Sequence, residues 1–150
     1  MSTKFIRTRK LNEAPSRKLD EYEPDALPQK SFWGKARVLE YTIESDERTN
    51  EGYYKLEILK SYETYVMAKL TCYTNHNSVM ISNQTTHSTS NTTLKHIKSF
   101  SGLNKKGFLA LKDSDALYRM GYYGVRENLL QQLLEELLQV AKNEDVDMSY

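Results

Sequence analysis

At 150 residues, 39% hydrophobic and 27% charged, the chain has the size and composition of one domain with an ordinary core. A formal net charge of +1 excludes a general polycation for nucleic acid or anionic membranes, so any basic function must be local. One cysteine, Cys72, excludes an internal disulfide and a cysteine-rich zinc cage, no window approaches the ~20 apolar residues of a membrane span, and the opening residues 1–17 lack the apolar core of a signal peptide.

Residues 1–29 are polarised: Lys4, Arg7, Arg9, Lys10, Arg17 and Lys18 come first, then Asp20, Glu21, Glu23 and Asp25. With few apolar residues and no sustained period, the stretch is expected to be a flexible charged arm, whose deletion should leave the thermal midpoint nearly unchanged. From residue 31 the pattern turns to β. Leu39, Tyr41 and Ile43 share one face at period two while Ala36 and Val38 take the other. The polar run from Glu44 to Gly52 reads as an exposed connection. Tyr54, Leu56 and Ile58 then mark a second strand and Val66, Ala68, Leu70 and Cys72 a third. Thr74 to Ser78 is turn-forming, and Val79-Met80-Ile81 makes a short fourth strand.

Residues 84–93 are almost wholly hydroxyl and amide, which predicts a loop ending in a helix N-cap at Ser90 or Asn91. Leu94, Ile97 and Phe100 then have helical spacing, with a stop near Gly102 or Asn104. Asp113 or Ser114 can cap a second helix carrying Ala116, Leu117 and Met120. Beyond Gly124, Val125, Leu129, Leu130, Leu133, Leu134, Leu137, Leu138 and Ala141 form a broad apolar stripe. That stripe must be covered, either by the sheet or by a second copy of the same 125–142 helix in a homodimer. The predicted fold is therefore α+β: a four-stranded, mostly antiparallel sheet at about 31–83 followed by two or three helices near 91–103, 113–121 and 125–142. The domain spans 30–142, and 143–150 is an acidic tail.

Cys72, His76, His87 and His96 offer thiol and imidazole ligands, but their spacing fits no zinc finger, so no metal site is assigned. Hydroxyls and histidines are plentiful over 85–96, yet no acid lies among them and no elbow glycines flank a serine. Neither Walker nor dinucleotide glycine spacing occurs. The expectation is a protein without a catalytic residue or a cofactor. Lys95, His96, Lys98, Lys105 and Lys106, with Arg7, Arg9 and Lys10, are the candidate partner-binding residues, since they can hold a phosphate or an acidic side chain. Thr92 and Thr93 can cap the helix start, and His96, one turn on, can serve there as a brace or as a site.

Three motifs carry a resemblance: Ser31-Phe32-Trp33-Gly34-Lys35-Ala36-Arg37-Val38, Ser61-Tyr62-Glu63-Thr64 leading into Val66, and Ser90-Asn91-Thr92-Thr93-Leu94-Lys95-His96-Ile97-Lys98-Ser99-Phe100. Together they are similar to a family of small uncharacterised proteins of bacteria, phages and other mobile elements, with S-F-x-G-K-A-x-V, S-Y-[DE]-T-x-V and W-S-x-T-T-x-[RK]-H-I-x-E-F patterns. Thr89 stands where that family has Trp, and Ser99 where it has Glu. The resemblance implies a sheet followed by helices and a mobile-element setting. By analogy with that setting, the expected function is a cytoplasmic accessory protein that binds a host protein or ribonucleoprotein complex, as an inhibitor of the anti-CRISPR kind. The alternative is a nucleic-acid-binding accessory or regulatory protein.

Overall fold

Period-two alternation builds the centre of the sheet. Strands β2 (Ala36–Glu44), β3 (Gly52–Ser61) and β4 (Thr64–Cys72) pair antiparallel in chain order, and β5 (Ser78–Ser82) adds to β4. The computed structural model describes residues 2–11, 36–44, 52–84 and 90–149. Outside the described residues lie 12–29 of the expected arm, the motif positions 31–35, most of the 45–52 connection, and 85–89 of the polar loop with His87.

Among the described residues the sheet has six strands rather than four. On one edge the predicted arm is overturned for its first residues, because β1 (Ser2–Lys10) pairs antiparallel with β2 from Ser2↔Glu44 to Lys10↔Arg37. On the other edge the two-residue β6 (Lys112–Asp113) runs parallel to β5, fixed by the Ser114 amide donating to Ser82 O at 2.8 Å and by the Gln84 amide donating to Asp113 Oδ1 at 2.8 Å. Among the described residues there are four helices rather than the two or three expected: α1 (Asn91–Ser101), α2 (Lys105–Leu109), α3 (Asp115–Tyr123) and α4 (Glu127–Asn143).

The caps follow the sequence. Ser90 Oγ accepts from the Thr93 amide at 3.2 Å, and Gly102 closes α1 in the left-handed region at φ 76°. Gly is favoured there because it has no Cβ to clash. Ser114 caps α3 and donates at 2.6 Å to Glu136 of α4, which places a carboxylate at the positive end of α3.

Each sheet face has its own apolar cluster. Tyr41, Ile43, Tyr54, Leu56, Ile58, Ala68, Leu70, Cys72 and Ile81 point toward α3 and α4, whereas Ala36, Val38, Leu59, Val66 and Met67 point toward Ile97 of α1 and Phe108 of α2. Val66 departs from the expected face because β3 and β4 slip register between Leu59 and Lys60, leaving an extra residue on β4 that reverses the alternation. The α4 stripe is buried within the chain: Leu129, Leu130, Leu133, Leu134, Leu137, Val140 and Ala141 pack on β4, β5 and α3. With that surface already covered, the physical reason for a homodimer through this helix is gone.

The expected tail is also tied down. Met148 is 6% exposed, Tyr54 Oη donates to Met148 O at 2.7 Å, and the side-chain amides of Asn75 and Asn77 both donate to Asp147 O at 2.9 Å. Residues 146–149 therefore close the end of the sheet where the β4–β5 turn lies. No helix is long and apolar enough to cross a membrane among the described residues.

Candidate functional site

Two of the three motifs singled out in the sequence meet in space. The β3–β4 hairpin turns in two residues, Tyr62 and Glu63, with Tyr62 held at φ 55°, and this tight return sets Ser61 at the end of β3 facing the start of α1. Ser61 Oγ lies 2.9 Å from His96 Nδ1 and 3.1 Å from Thr93 Oγ1, while Ser90 Oγ donates to Thr93 Oγ1 at 3.2 Å. Helical spacing explains the pairing, since residues three apart share one face of α1. The Tyr62 ring centroid lies 6.3 Å from that of the imidazole, the two planes tilted by 41°.

A hydroxyl at 2.9 Å from an imidazole nitrogen has the reach of a nucleophile–base pair. Its burial decides otherwise: Ser61 is 2% and His96 0% exposed, so no substrate meets the hydroxyl in the folded chain. The geometry is that of a brace, which fastens α1 to the hairpin through side chains far apart in sequence. Burial pushes the His96 pKa below its ordinary value, so the neutral imidazole is the folded form. Because the folded pKa is depressed, the stabilisation is complete above the unfolded value of ~6.5 and is lost as pH falls toward the folded one. Stability is therefore expected to fall as pH drops below ~6.5, by up to about 1.4 kcal/mol per pH unit for one proton, and His96→Gln should flatten that part of the profile. Calorimetry across the range checks it.

The candidate basic residues divide into two groups. Lys95, Lys98, Lys105 and Lys106 are exposed along α1 and the start of α2, and among the described residues they make no ion pair. No Asp or Glu occurs between Glu63 and Asp113, so this layer has no acid of its own. His96 points inward instead. Of the other candidate partner-binding residues, Arg7 and Arg9 are buried, at 8% and 5% exposure, and Lys10 is half-buried at the end of β1.

The arginines enter a network that sequence inspection missed. Glu40 and Glu57 stand directly opposite each other on β2 and β3, an arrangement that repels unless cations intervene. Arg9 bridges them, with Nε 3.2 Å from Glu40 and Nη2 2.9 Å from Glu57. Arg7 Nε reaches Glu40 at 3.0 Å and Lys55 Nζ does so at 3.2 Å. Glu40 is 0% exposed and is the hub. The available signal was its position: it continues the Ala36, Val38 face of an otherwise apolar strand.

For metal chemistry, Cys72 is buried in the sheet, His76 sits exposed in the β4–β5 turn, and among the described residues no group of three ligating side chains forms. Compared with known proteins, the chain matches no family model, no curated protein and no solved structure.

Proposed function

We propose that this protein is a binding protein that acts by occupying an acidic or phosphate-bearing surface of a host macromolecule through its α1–α2 layer. The observation that carries the reading is the contrast among its cations. Arg7, Arg9 and Lys55 are neutralised by carboxylates, whereas Lys95, Lys98, Lys105 and Lys106 are exposed and make no ion pair among the described residues, on a layer with no acid in its own sequence. Uncompensated lysines contribute little to stability and are suited to an anionic partner. The resemblance to mobile-element proteins supports the finer form, an inhibitor of a host defence complex of the anti-CRISPR kind, with a host protein or ribonucleoprotein as the partner.

The same acid-free lysine layer favours one second reading, direct binding of nucleic acid. A tagged pull-down from host lysate with and without nuclease distinguishes the two. A specific host protein that survives nuclease and is lost in the Lys95→Glu/Lys98→Glu variant is the expected result. Recovery of nucleic acid alone, with log affinity falling by about 0.9 per log unit of salt for each phosphate contacted, would transfer the function to the second reading.

A further inference from the structure

On the α3 side of the sheet, α3 and the β3–β4 hairpin enclose an open groove of about 220 Å³ lined by Glu63, Tyr65, Asn83, Tyr118, Gly121 and Tyr122. Its walls are aromatic. Tyr118 and Tyr122, one helical turn apart, meet edge to face with ring centroids 5.2 Å apart, and the Tyr118 hydroxyl donates to Tyr122 Oη at 3.3 Å, which fixes the two rings relative to each other. Tyr122 is 71% exposed and Tyr123 57%, so the aromatic surface continues past the groove. One charged residue, the carboxylate Glu63, lines it.

Tyrosine faces attract cations through the negative face of the ring. The chain makes such a contact itself at the groove's rim, where Lys60 Nζ lies 5.2 Å from the centroid of Tyr65 and 3.7 Å from Glu63 Oε2. Tyr65 and Glu63 are thus engaged by Lys60, and the ring surfaces offered to a further cation are those of Tyr118 and Tyr122, exposed at 40% and 71%. Gly121 lines the groove between the two tyrosines, and a Cβ at this position would meet nothing within 4 Å, so a larger side chain can be placed there without a clash in the fold.

We infer that this groove is a binding site for an organic cation, namely the lysine or arginine side chain of a partner protein. A partner's side chain is favoured over a free small amine because the exposed Tyr122 and Tyr123 extend the contact surface beyond what one small ion covers. The site is separate from the lysine layer and of opposite character, so it recognises a basic segment and stands or falls independently of that surface.

The test is a titration of the full-length protein, followed by the amide resonances of residues 63–65 and 118–124. The probes are N-acetyl-arginine methylamide, N-acetyl-lysine methylamide, their uncharged match N-acetyl-norleucine methylamide, and choline. Either cationic derivative should bind at least about fivefold more tightly than the norleucine one. Gly121→Leu should fill the groove and abolish the shifts while holding or raising the thermal midpoint, which separates loss of the site from loss of the fold. Equal binding of the uncharged probe, or undiminished binding to Gly121→Leu, would overturn the cation site. Choline binding tenfold tighter than both amino-acid derivatives would overturn the assignment to a partner's side chain.

Discussion

Glu40→Ala is expected to lower stability by about 3–5 kcal/mol, because it removes the acceptor common to Arg7, Arg9 and Lys55 and leaves their charges buried without it. For a domain of this size that is a fall of roughly 6–20 °C in thermal midpoint. The cost arises from geometry more than from the strength of any one pair. Arg7 and Arg9 are on β1, whose hydrogen bonds to β2 hold them at a sheet face where neither can swing out to water without unpairing the strand. Glu40→Gln keeps the shape and removes only the charge, so it should lose most of the same stability. A compensated variant, Arg7→Met/Arg9→Met/Glu40→Leu/Lys55→Met/Glu57→Leu, should recover much of it, since well-packed apolar replacements of buried ion networks are often neutral or stabilising. Urea unfolding of wild type and the three variants checks the pattern. Equal midpoints for wild type and Glu40→Ala would show that the network carries no stability.

The same network explains where the sequence was legible and where it was not. α1, α3 and α4 are visible because local rules place them: Ser90 and Ser114 cap, Gly102 and Gly124 terminate, and the leucines of α4 repeat at helical spacing. The central strands are visible because each carries its own alternation. β1 has none; Phe5 and Ile6 are its only large apolar residues, and what holds its arginines is a pair of carboxylates 31 and more residues away. Non-local charge pairing leaves no period to read. β6 fails for a different reason, since two residues cannot display a pattern and their place is set by Gln84 and Ser114. At the candidate site the elements and both motifs were visible. Their meeting was not, because Ser61 comes to His96 only through the tight turn at Tyr62 and the docking of α1 on the sheet. Charge alone makes Arg7 and Arg9 candidate partner-binding residues; that they are buried against Glu40 and Glu57 depends on strands distant in sequence. The docking of Met148 depends on Tyr54 and on the asparagines of a turn about 70 residues earlier, again beyond any local signal.

Leu133→Asp is expected to unfold the domain. Leu133 is 0% exposed at the centre of the α4 stripe, surrounded by Leu129, Leu130, Leu134 and Leu137 on its own helix and by the sheet residues of the same cluster. Replacing it loses the transfer free energy of a buried leucine, about 2–5 kcal/mol with the cavity it leaves, and adds a carboxylate for which the apolar cluster offers no partner, at several kcal/mol more. Together these match the whole stability of a typical domain, about 5–15 kcal/mol, so the helical dichroism of the variant should be lost at room temperature. Leu137→Asp, also 0% exposed, should do the same, whereas Gln131→Asp on the exposed side of the helix should change stability by less than about 0.5 kcal/mol. Light scattering beside dichroism makes the result decisive about what covers the stripe. If α4 closed a dimer and left the sheet covered by other means, the Leu133→Asp chain would stay folded and scatter as a monomer while the wild type scattered as a pair. An unfolded variant from a monomeric wild type is the outcome that burial on β4, β5 and α3 requires.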